Sequence, residues 1–191
     1  FQSFGNIPTP IRLDAKMSAL VGGNGSGKTA IMSALRRFFS VSNQDRAIRR
    51  SDFYFPQTGD SKQANELSIE VILAFPELEK EVSTGFSPVA TFFNNMTFQD
   101  QDGKLKVRLR LEASWEDDGT IEGYISTKCF SINTFEDNIN EDNKIPLAPL
   151  DRSRIQVVYI PANRSASKQV IQFLKGRLWQ AINWSTSTKD L

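Results

Sequence analysis

At 191 residues the chain is long enough for one domain, or one domain and part of a second, around a buried core. Its 23 Lys and Arg residues nearly balance its 22 Asp and Glu residues, so net charge gives no argument for nucleic-acid binding, although a local basic face stays open. The absence of histidine excludes Ser-His-Asp triads, His-containing zinc sites and His-mediated proton transfer within the chain, and its single cysteine excludes an internal disulfide.

The first thirteen residues contain two short candidate strands, interrupted by Pro8 and Pro10. Proline cannot donate a hydrogen bond to a sheet, so these strands are expected at a sheet edge or beside a turn. The chain starts with Phe1 rather than Met. We expect it to be the N-terminal part of a longer polypeptide that continues after Leu191.

The most informative segment is Gly-Gly-Asn-Gly-Ser-Gly-Lys-Thr at residues 22–29, which matches the P-loop pattern G-x-x-x-x-G-K-[ST]. In this pattern glycine lets the backbone approach a polyphosphate, the lysine reaches the β- and γ-phosphates, and the hydroxyl holds Mg²⁺. The alternative is a glycine-rich turn in an unrelated fold. The flanks favour the P-loop, because residues 17–21 are predicted as a buried parallel strand and 30–39 as a helix.

The helix after the loop is predicted to be amphipathic, with its N-terminal amides pointing at the phosphates. Its apolar residues at helical spacing are expected to pack on a sheet, and its last turn is basic, which suits the helix dipole. The apolar residues are Ile31, Ala34, Leu35 and Phe38, and the basic ones are Arg36 and Arg37.

Residues 45–63 are predicted as a polar, irregular segment. Its three arginines, Arg46, Arg49 and Arg50, either contact phosphate or are simply solvated. Asp52, which follows them, either faces the nucleotide or caps a helix, and its residue type favours capping.

The clearest local pattern is a β-hairpin. Residues 105–115 alternate apolar and charged side chains, 117–120 form a turn, and 121–132 alternate again. Cys129 lies in this second run and is expected to be a buried or half-buried strand residue. Other predicted elements are strands at 67–75 and 154–160, helices at 77–82 and 169–184, mixed helix and loop at 86–101, and an acidic surface loop at 133–143.

The hairpin carries a row of basic residues that invites a nucleic-acid interpretation. A solvated strand face opposite a buried one gives the same pattern and is the favoured interpretation. The three tryptophans are likewise expected to be packing anchors rather than base-stacking platforms. The basic residues are Lys104, Lys106, Arg108 and Arg110, and the tryptophans are Trp115, Trp179 and Trp184.

A P-loop ATPase also needs an acidic group at the end of a second apolar strand, where it holds Mg²⁺ and positions the attacking water. The runs at 70–75 and 155–160 are the candidate strands, and neither ends in Asp-Glu. Glu77, which follows the first strand and a proline, is the candidate that remains. We therefore expect this chain to bind ATP with little or no hydrolysis of its own.

The early P-loop, in the sequence Leu-Val-Gly-Gly-Asn-Gly-Ser-Gly-Lys-Thr at 20–29, resembles the ATPase heads of the SMC, RecF and ABC group. Three further blocks are similar to spaced blocks of the OLD (overcoming-lysogenisation-defect) family of ATP-dependent endonucleases, to which the nuclease of the Gabija phage-defence system belongs. These blocks are Arg-Ser-Asp-Phe-Tyr at 50–54, Ser-Ile-Glu-Val-Ile-Leu at 68–73 and Val-Val-Tyr-Ile-Pro-Ala-Asn-Arg at 157–164.

The resemblance implies an α/β P-loop NTPase fold of the ABC/SMC head type. Its mixed sheet would have a parallel core carrying the P-loop and an antiparallel β lobe built from the hairpin. Residues 1–165 would be the N-terminal lobe of the head, and 166–191 the start of a helical insert. A dimerisation insert and a Toprim nuclease domain with carboxylate-bound metals would follow outside this chain.

The resemblance also implies roles for individual residues. Lys28 would hold the β- and γ-phosphates as the catalytic residue, and Thr29 would ligate Mg²⁺. Asn163 and Arg164 occupy a place from which a polar residue approaches the metal or the γ-phosphate. The loop and the first helical turn would bind the cofactor through Gly23, Asn24, Gly25, Ser26, Gly27, Lys28, Thr29 and Ala30.

Three functions from different classes remain open. The first is an ATPase head that regulates or powers a DNA-processing protein in phage defence or DNA repair. The second is a nucleotide sensor that controls a partner protein without rapid turnover. The third is a small-molecule kinase, which the hairpin in the middle of the chain disfavours.

Expected partners are ATP with Mg²⁺, the missing C-terminal half of the same polypeptide, further copies of the chain in a homodimer or higher homo-oligomer, and DNA through the full-length protein. No apolar run approaches the roughly 20 residues that span a bilayer. With one cysteine and no visible signal peptide, the sequence predicts a cytoplasmic protein without a membrane partner.

Overall fold

The structure is a computed structural model, and it divides into two compact units, Phe1–Val157 and Val158–Leu191. The elements described below belong to the first unit; of the second, only 158–160 are described. The structure describes residues 1–5, 7–56, 64–75 and 96–160.

Helices and a β-sheet both occur in these ranges, as predicted for an α/β chain. The helices are α1 (Lys28–Phe39), α2 (Asn43–Arg46) and α3 (Pro149–Arg154), with single 3₁₀ turns at Gln2–Phe4, Arg50–Asp52 and Glu141–Asn143. The strands are β1 (Glu66–Ala74), β2 (Thr97–Gln99), β3 (Leu105–Glu116), β4 (Tyr124–Ile132) and β5 (Lys144–Pro146).

The five strands form one sheet, with β3 at its centre. The order is β1-β3-β4-β5, and β2 pairs with the first three residues of β3. Every pair is antiparallel, including β1 with β3 and β3 with β4. The predicted hairpin is confirmed as β3 and β4, and the strand predicted at 67–75 is confirmed as β1.

Alternation along β3 explains which face of the sheet is buried. Val107, Leu109 and Leu111 are fully buried, because side chains two residues apart point to the same face of a strand. Leu67 and Ile69 of β1 join the same buried cluster. The core therefore lies on one face of the β1–β3 pair.

The C-terminal end of α1 completes this core. Phe38 and Phe39 are buried in the same cluster, with their ring centroids 4.3 Å apart. Ala30 is also buried, whereas Ile31 and Leu35, predicted to face the sheet, are half-buried. Residues at four-residue spacing lie above one another on a helix, so the buried stripe runs through Ala30 to Phe38 and is rotated from the predicted face.

α3 holds the C-terminal end of α1 from a distant part of the chain. The Arg152 guanidinium donates to the Phe38 carbonyl oxygen at 2.8 Å and to the Arg37 carbonyl oxygen at 2.9 Å. The last carbonyl oxygens of a helix receive no hydrogen bond from an N–H group within it and need donors from outside. Arg152 supplies two of them across 114 positions of sequence.

The predicted parallel core is not formed in the described residues. The segment at 17–21 has no strand pairing, and Met17 and Val21 are 82% and 93% exposed. An apolar run becomes a buried strand only when a neighbouring strand accepts and donates its backbone hydrogen bonds. No such neighbour lies beside 17–21 among the described residues, so the segment has no regular secondary structure and is exposed except at the half-buried Leu20.

Two other predicted strand regions also differ from the structure. The first thirteen residues contain a 3₁₀ turn at Gln2–Phe4 and no strand among the residues described. At 154–160, Arg154 ends α3 and only Val157 pairs, through one isolated parallel bridge to Ser40. Proline interruptions and the lack of a partner strand account for both differences.

Several predictions fall outside the described residues and stay predictions. They are the helices at 77–82 and 169–184, most of 86–101, the boundary at 165/166, and the residues Glu77, Asn163, Arg164, Trp179 and Trp184.

Candidate functional site

The glycine-rich loop (residues 22–29) ends in the first turn of α1. Gly25 and Gly27 have φ angles of 83° and 87°, in the left-handed region that glycine adopts without strain. The Ile31 amide donates to the Gly27 carbonyl oxygen at 3.1 Å, which is the first hydrogen bond of the helix. The glycines therefore allow the chain to reverse and enter the helix directly from the loop.

The N-terminal end of α1 presents backbone donors. The amides of Lys28, Thr29 and Ala30 precede that first helical bond and have no acceptor within the helix. Gly27, at the N-cap position, has no side chain that could cap them. Because the helix dipole adds partial positive charge here, this end of α1 suits an anion.

Lys28 folds back over the loop that precedes it. Its ammonium nitrogen lies 2.7 Å from the Gly22 carbonyl oxygen, 2.6 Å from that of Gly23 and 3.2 Å from Ser26 Oγ. A Cβ atom at Gly22 would lie 2.6 Å from the same Ser26 oxygen, so this close approach requires glycine. The positive charge is thereby held at the centre of the loop.

A cleft of about 560 Å³ opens beside the loop. Its volume lies within the range of small-molecule sites, about 300–1,000 Å³. Lys28 is the charged side chain of its lining, and no carboxylate lines it among the described residues. The lining residues are Gln2, Asn24, Gly25, Ser26, Gly27, Lys28, Thr29, Ala30, Ser51, Phe53 and Phe55.

The structure thus brings the predicted loop residues together in one cleft, with the exception of Gly23, which contacts Lys28 from the loop but is not in the lining. The sequence did not indicate Gln2, Ser51, Phe53 or Phe55 as cleft residues. Ser51 and Phe53 belong to the block at 50–54, and only the resemblance of this block to the OLD family pointed to a functional role. Their approach to the loop depends on tertiary packing, which no local spacing encodes.

Asp52 fixes the facing segment (residues 50–55) from behind. Its carboxylate is 1% exposed, accepts the Arg49 amide at 2.9 Å and the Gln2 side-chain amide at 3.0 Å, and pairs with Arg37 Nε at 2.8 Å. The favoured prediction, that Asp52 caps a helix, is confirmed for the 3₁₀ turn. It faces α1 and is not part of the cleft lining.

The arginine cluster is occupied by structural contacts. Arg46 donates to the Ser40 carbonyl oxygen at 2.6 Å and to that of Val41 at 3.0 Å. The Arg50 guanidinium lies 3.1 Å from the centre of the Trp115 ring. Neither arginine lines the cleft. Both are half-buried, so simple solvation was wrong for these two residues, whereas phosphate contact stays a prediction.

In the basic row of the hairpin, carboxylate partners are found for Lys106, Arg108 and Arg110. Arg108, 7% exposed, lies 3.0 Å from Glu70 and donates to the Thr134 and Glu136 carbonyl oxygens, each at 2.8 Å. Arg110 lies 2.8 Å from Glu112. The row is therefore neither a simple solvated face nor a free basic surface for nucleic acid.

Two further residues of the hairpin also have partners within the protein. Lys106 forms an ion pair with Asp100, and Trp115 donates to the Glu122 carbonyl oxygen at 2.8 Å while packing against the core. The prediction that Trp115 is a packing anchor is confirmed.

Cys129 is a half-buried strand residue of β4, as predicted. Burial raises the pKa of its thiol above the ordinary value, which disfavours the reactive thiolate. Among the described residues, no three His, Cys, Asp or Glu side chains lie close enough together to hold a metal ion.

Comparison with known proteins gives one family. The model of a family described as "Protein of unknown function (DUF2813)" matches residues 10–147, which include the glycine-rich loop, α1 and the sheet. No curated protein and no solved structure matches the chain. In the part of the chain that the structure describes, no helix has the length and apolar character needed to cross a membrane.

Proposed function

We propose that this chain, which belongs to the DUF2813 family, is the ATP-binding part of an ATPase head in a DNA-processing protein. The observation that carries the proposal is the position of Lys28. Its ammonium group is held by the Gly22 and Gly23 carbonyl oxygens at the N-terminal end of α1, beside a cleft of ligand size.

The chemistry of this arrangement suits a polyphosphate. The ammonium of Lys28 now donates to neutral carbonyl and hydroxyl oxygens. In these hydrogen bonds only the donor is charged. With phosphate oxygens as acceptors both partners would be charged, which adds the attraction of an ion pair. The open amides of the first helical turn add donors that no side chain has to supply.

The residues present also fit Mg²⁺ carried by the nucleotide. Thr29 is exposed and lines the cleft, so its hydroxyl is available as one ligand. Mg²⁺ in such sites takes its remaining ligands from phosphate oxygens and water, and it neutralises charge on the β- and γ-phosphates.

The lining also supports binding without efficient hydrolysis by this chain. Asp52, the acidic residue nearest to the cleft in sequence, is committed to Arg37 and to the Arg49 amide. We propose that the hydrolytic acid comes from another segment of the polypeptide or from a second copy. The same lining favours the alternative function, a nucleotide sensor that controls a partner. Steady multiple turnovers by the purified chain would contradict the proposal of weak hydrolysis.

The DNA-processing part of the proposal rests on the resemblance to OLD-family endonucleases. One of the resembling blocks, at 50–54, contributes Ser51 and Phe53 to the cleft, which links that likeness to the candidate site. DNA cleavage by the complete polypeptide that requires ATP would support the nuclease function. ATP-dependent control of a partner without cleavage would favour the sensor.

The first test of ATP binding is Lys28→Ala. Removing a charged hydrogen-bond donor costs about 1.5–3 kcal/mol, so the affinity for ATP with Mg²⁺ should fall at least about tenfold. Isothermal titration calorimetry on the purified protein measures this. Lys128→Ala, which removes an exposed lysine from β4, is the matched control and should bind as the unchanged protein does. Equal affinity of the Lys28→Ala and unchanged proteins would remove the site assignment.

A further inference from the structure

We infer that Phe55 is the stacking surface for the base of the bound nucleotide. This inference rests on the proposed function, because it assigns the base to one side of a cleft whose other side takes the phosphates. Phe55 lines the same cleft as Lys28 and Thr29, yet belongs to the facing segment. The lining therefore includes a charged side chain and an exposed aromatic one that come from different segments of the chain.

The exposure of Phe55 distinguishes it from its neighbour in the lining. Phe53 is 2% exposed and belongs to the hydrophobic core, so its ring is already covered by protein. Phe55 is 65% exposed and borders the cleft. When a flat ligand covers a large apolar ring that is otherwise in contact with water, the burial of apolar surface favours binding.

The segment that carries Phe55 is held in place before any ligand arrives. Asp52 ties it to Arg37 of α1, and the Arg50 guanidinium lies over the Trp115 ring of β3. The Ala64 amide donates to the Tyr54 carbonyl oxygen at 2.9 Å, immediately before Phe55 in the chain. Because the backbone is already fixed, a ligand that stacks on Phe55 meets less ordering cost.

The chemistry of the ring decides what it recognises. Phenylalanine has no hydrogen-bonding group, so it contacts the face of a base and not the edge that distinguishes adenine from guanine. Base–aromatic stacking contributes about 1–3 kcal/mol by alanine substitution, which corresponds to about 5- to 150-fold in affinity. The ligand class is therefore a nucleoside triphosphate, with the base held by stacking and the phosphates held at Lys28.

Phe55→Ala tests this inference, with three probes: ATP, GTP and inorganic triphosphate, each with Mg²⁺. The affinities for ATP and GTP should both fall by about 5- to 150-fold, because both bases lose the same stacking surface. The affinity for inorganic triphosphate should stay unchanged, and Phe55→Tyr should restore nucleotide binding. Tyr124→Ala, which removes a 58% exposed aromatic ring from β4, is the matched control and should change none of the three.

The outcomes separate this inference from the proposed function. Unchanged ATP affinity in Phe55→Ala, or an equal loss for inorganic triphosphate, would overturn the role of Phe55 and leave the phosphate site standing. An unchanged protein that binds triphosphate as tightly as ATP would also overturn it, since the base would then contribute nothing. An unchanged protein that binds none of the three probes would overturn the proposed function itself, and the stacking role with it.

Discussion

The central strand of the sheet and the segment before the glycine-rich loop both carry apolar side chains, but these are buried in the strand and exposed in the segment. Val107, Leu109 and Leu111 in β3 have no exposed surface, whereas Met17 and Val21 are more than four-fifths exposed. The strand has backbone partners on both sides, and 17–21 has none among the described residues. Stability of the described chain is thus concentrated in the sheet, and the candidate binding chemistry lies in a segment with little packing of its own.

α1 connects these two regions. Its first turn supplies Lys28 and Thr29 to the cleft, and its last turn places Phe38 and Phe39 in the core. Substitutions in the two regions should therefore separate stability from binding, even though one helix spans both.

The largest separation is expected from Leu109→Ala. Removing a fully buried leucine from the centre of β3 should lower the free energy of unfolding by about 2–5 kcal/mol, through lost burial and the cavity that remains. Denaturant unfolding measures the loss. Ile121→Ala, at a side chain that is 98% exposed, is the control and should have little effect. ATP affinity, measured where the variant is still folded, should not change, and a parallel loss of affinity would show that the two regions are not separable.

Gly25→Ala should show the reverse behaviour, with a smaller effect. Alanine at φ 83° is strained by about 1–2 kcal/mol, and an exposed loop relieves that strain by leaving the conformation that binds phosphate. ATP affinity should fall by about 5- to 30-fold, with little change in the unfolding transition.

Two other glycines provide controls for that prediction. Gly23 lies outside the positive-φ region and has open space where a Cβ would lie, so Gly23→Ala introduces no such strain and should lower ATP affinity less than Gly25→Ala does. Gly103 has φ 75° in the turn between β2 and β3, so Gly103→Ala should lower stability and leave binding unchanged. Equal effects of all three substitutions on ATP binding would contradict the assignment of the strain at Gly25 to the site.

The smallest effect is expected from Glu141→Gln at the edge of the sheet. The hydrogen bond from the Lys144 ammonium, at 2.8 Å, holds the pKa of Glu141 below its ordinary value of 4.5. A carboxylate with a lowered pKa stabilises the fold above its ordinary pKa, and this contribution disappears as the pH falls through the folded-state pKa.

The pH dependence of unfolding checks that prediction. The unchanged protein should be slightly more stable than Glu141→Gln at pH 7, and the difference should vanish as the pH falls through the folded-state pKa of Glu141. Glu122→Gln, at an exposed carboxylate of the hairpin loop, controls for the change in net charge. A difference that grows as the pH falls would contradict the sign of the effect.

Local sequence patterns were sufficient to predict two parts of the fold, the hairpin and the start of α1. The β3–β4 hairpin follows from period-two alternation, and the start of α1 follows from the loop motif and the helix formers behind it. The prediction of a buried strand at 17–21 was wrong. A buried strand needs hydrogen bonds from a neighbouring strand, and an apolar run in the sequence does not show whether that neighbour exists. The burial of Arg108 was missed because it depends on Glu70 in a neighbouring strand, and therefore on register.

The candidate site divides in the same way. The loop residues were predicted from their spacing, since motif and chemistry coincide within eight positions. The buried Asp52 accepts a hydrogen bond from Gln2 and anchors the segment that carries Phe55. Gln2 and Phe55 therefore depend on Asp52 for their places in the cleft lining. Contacts between positions 50 residues apart have no local signature, so this part of the lining could be found only in the structure.

The two hydrogen bonds from Arg152 to the end of α1 have a consequence for the order of folding. They join the helix that follows the glycine-rich loop to a residue 114 positions later. Closing so long a loop lowers the chain entropy, and this cost is offset only once the contact has formed. Contacts of high sequence separation therefore slow folding. During synthesis, the helix that carries the candidate site therefore acquires this anchor only after all five described strands have been translated.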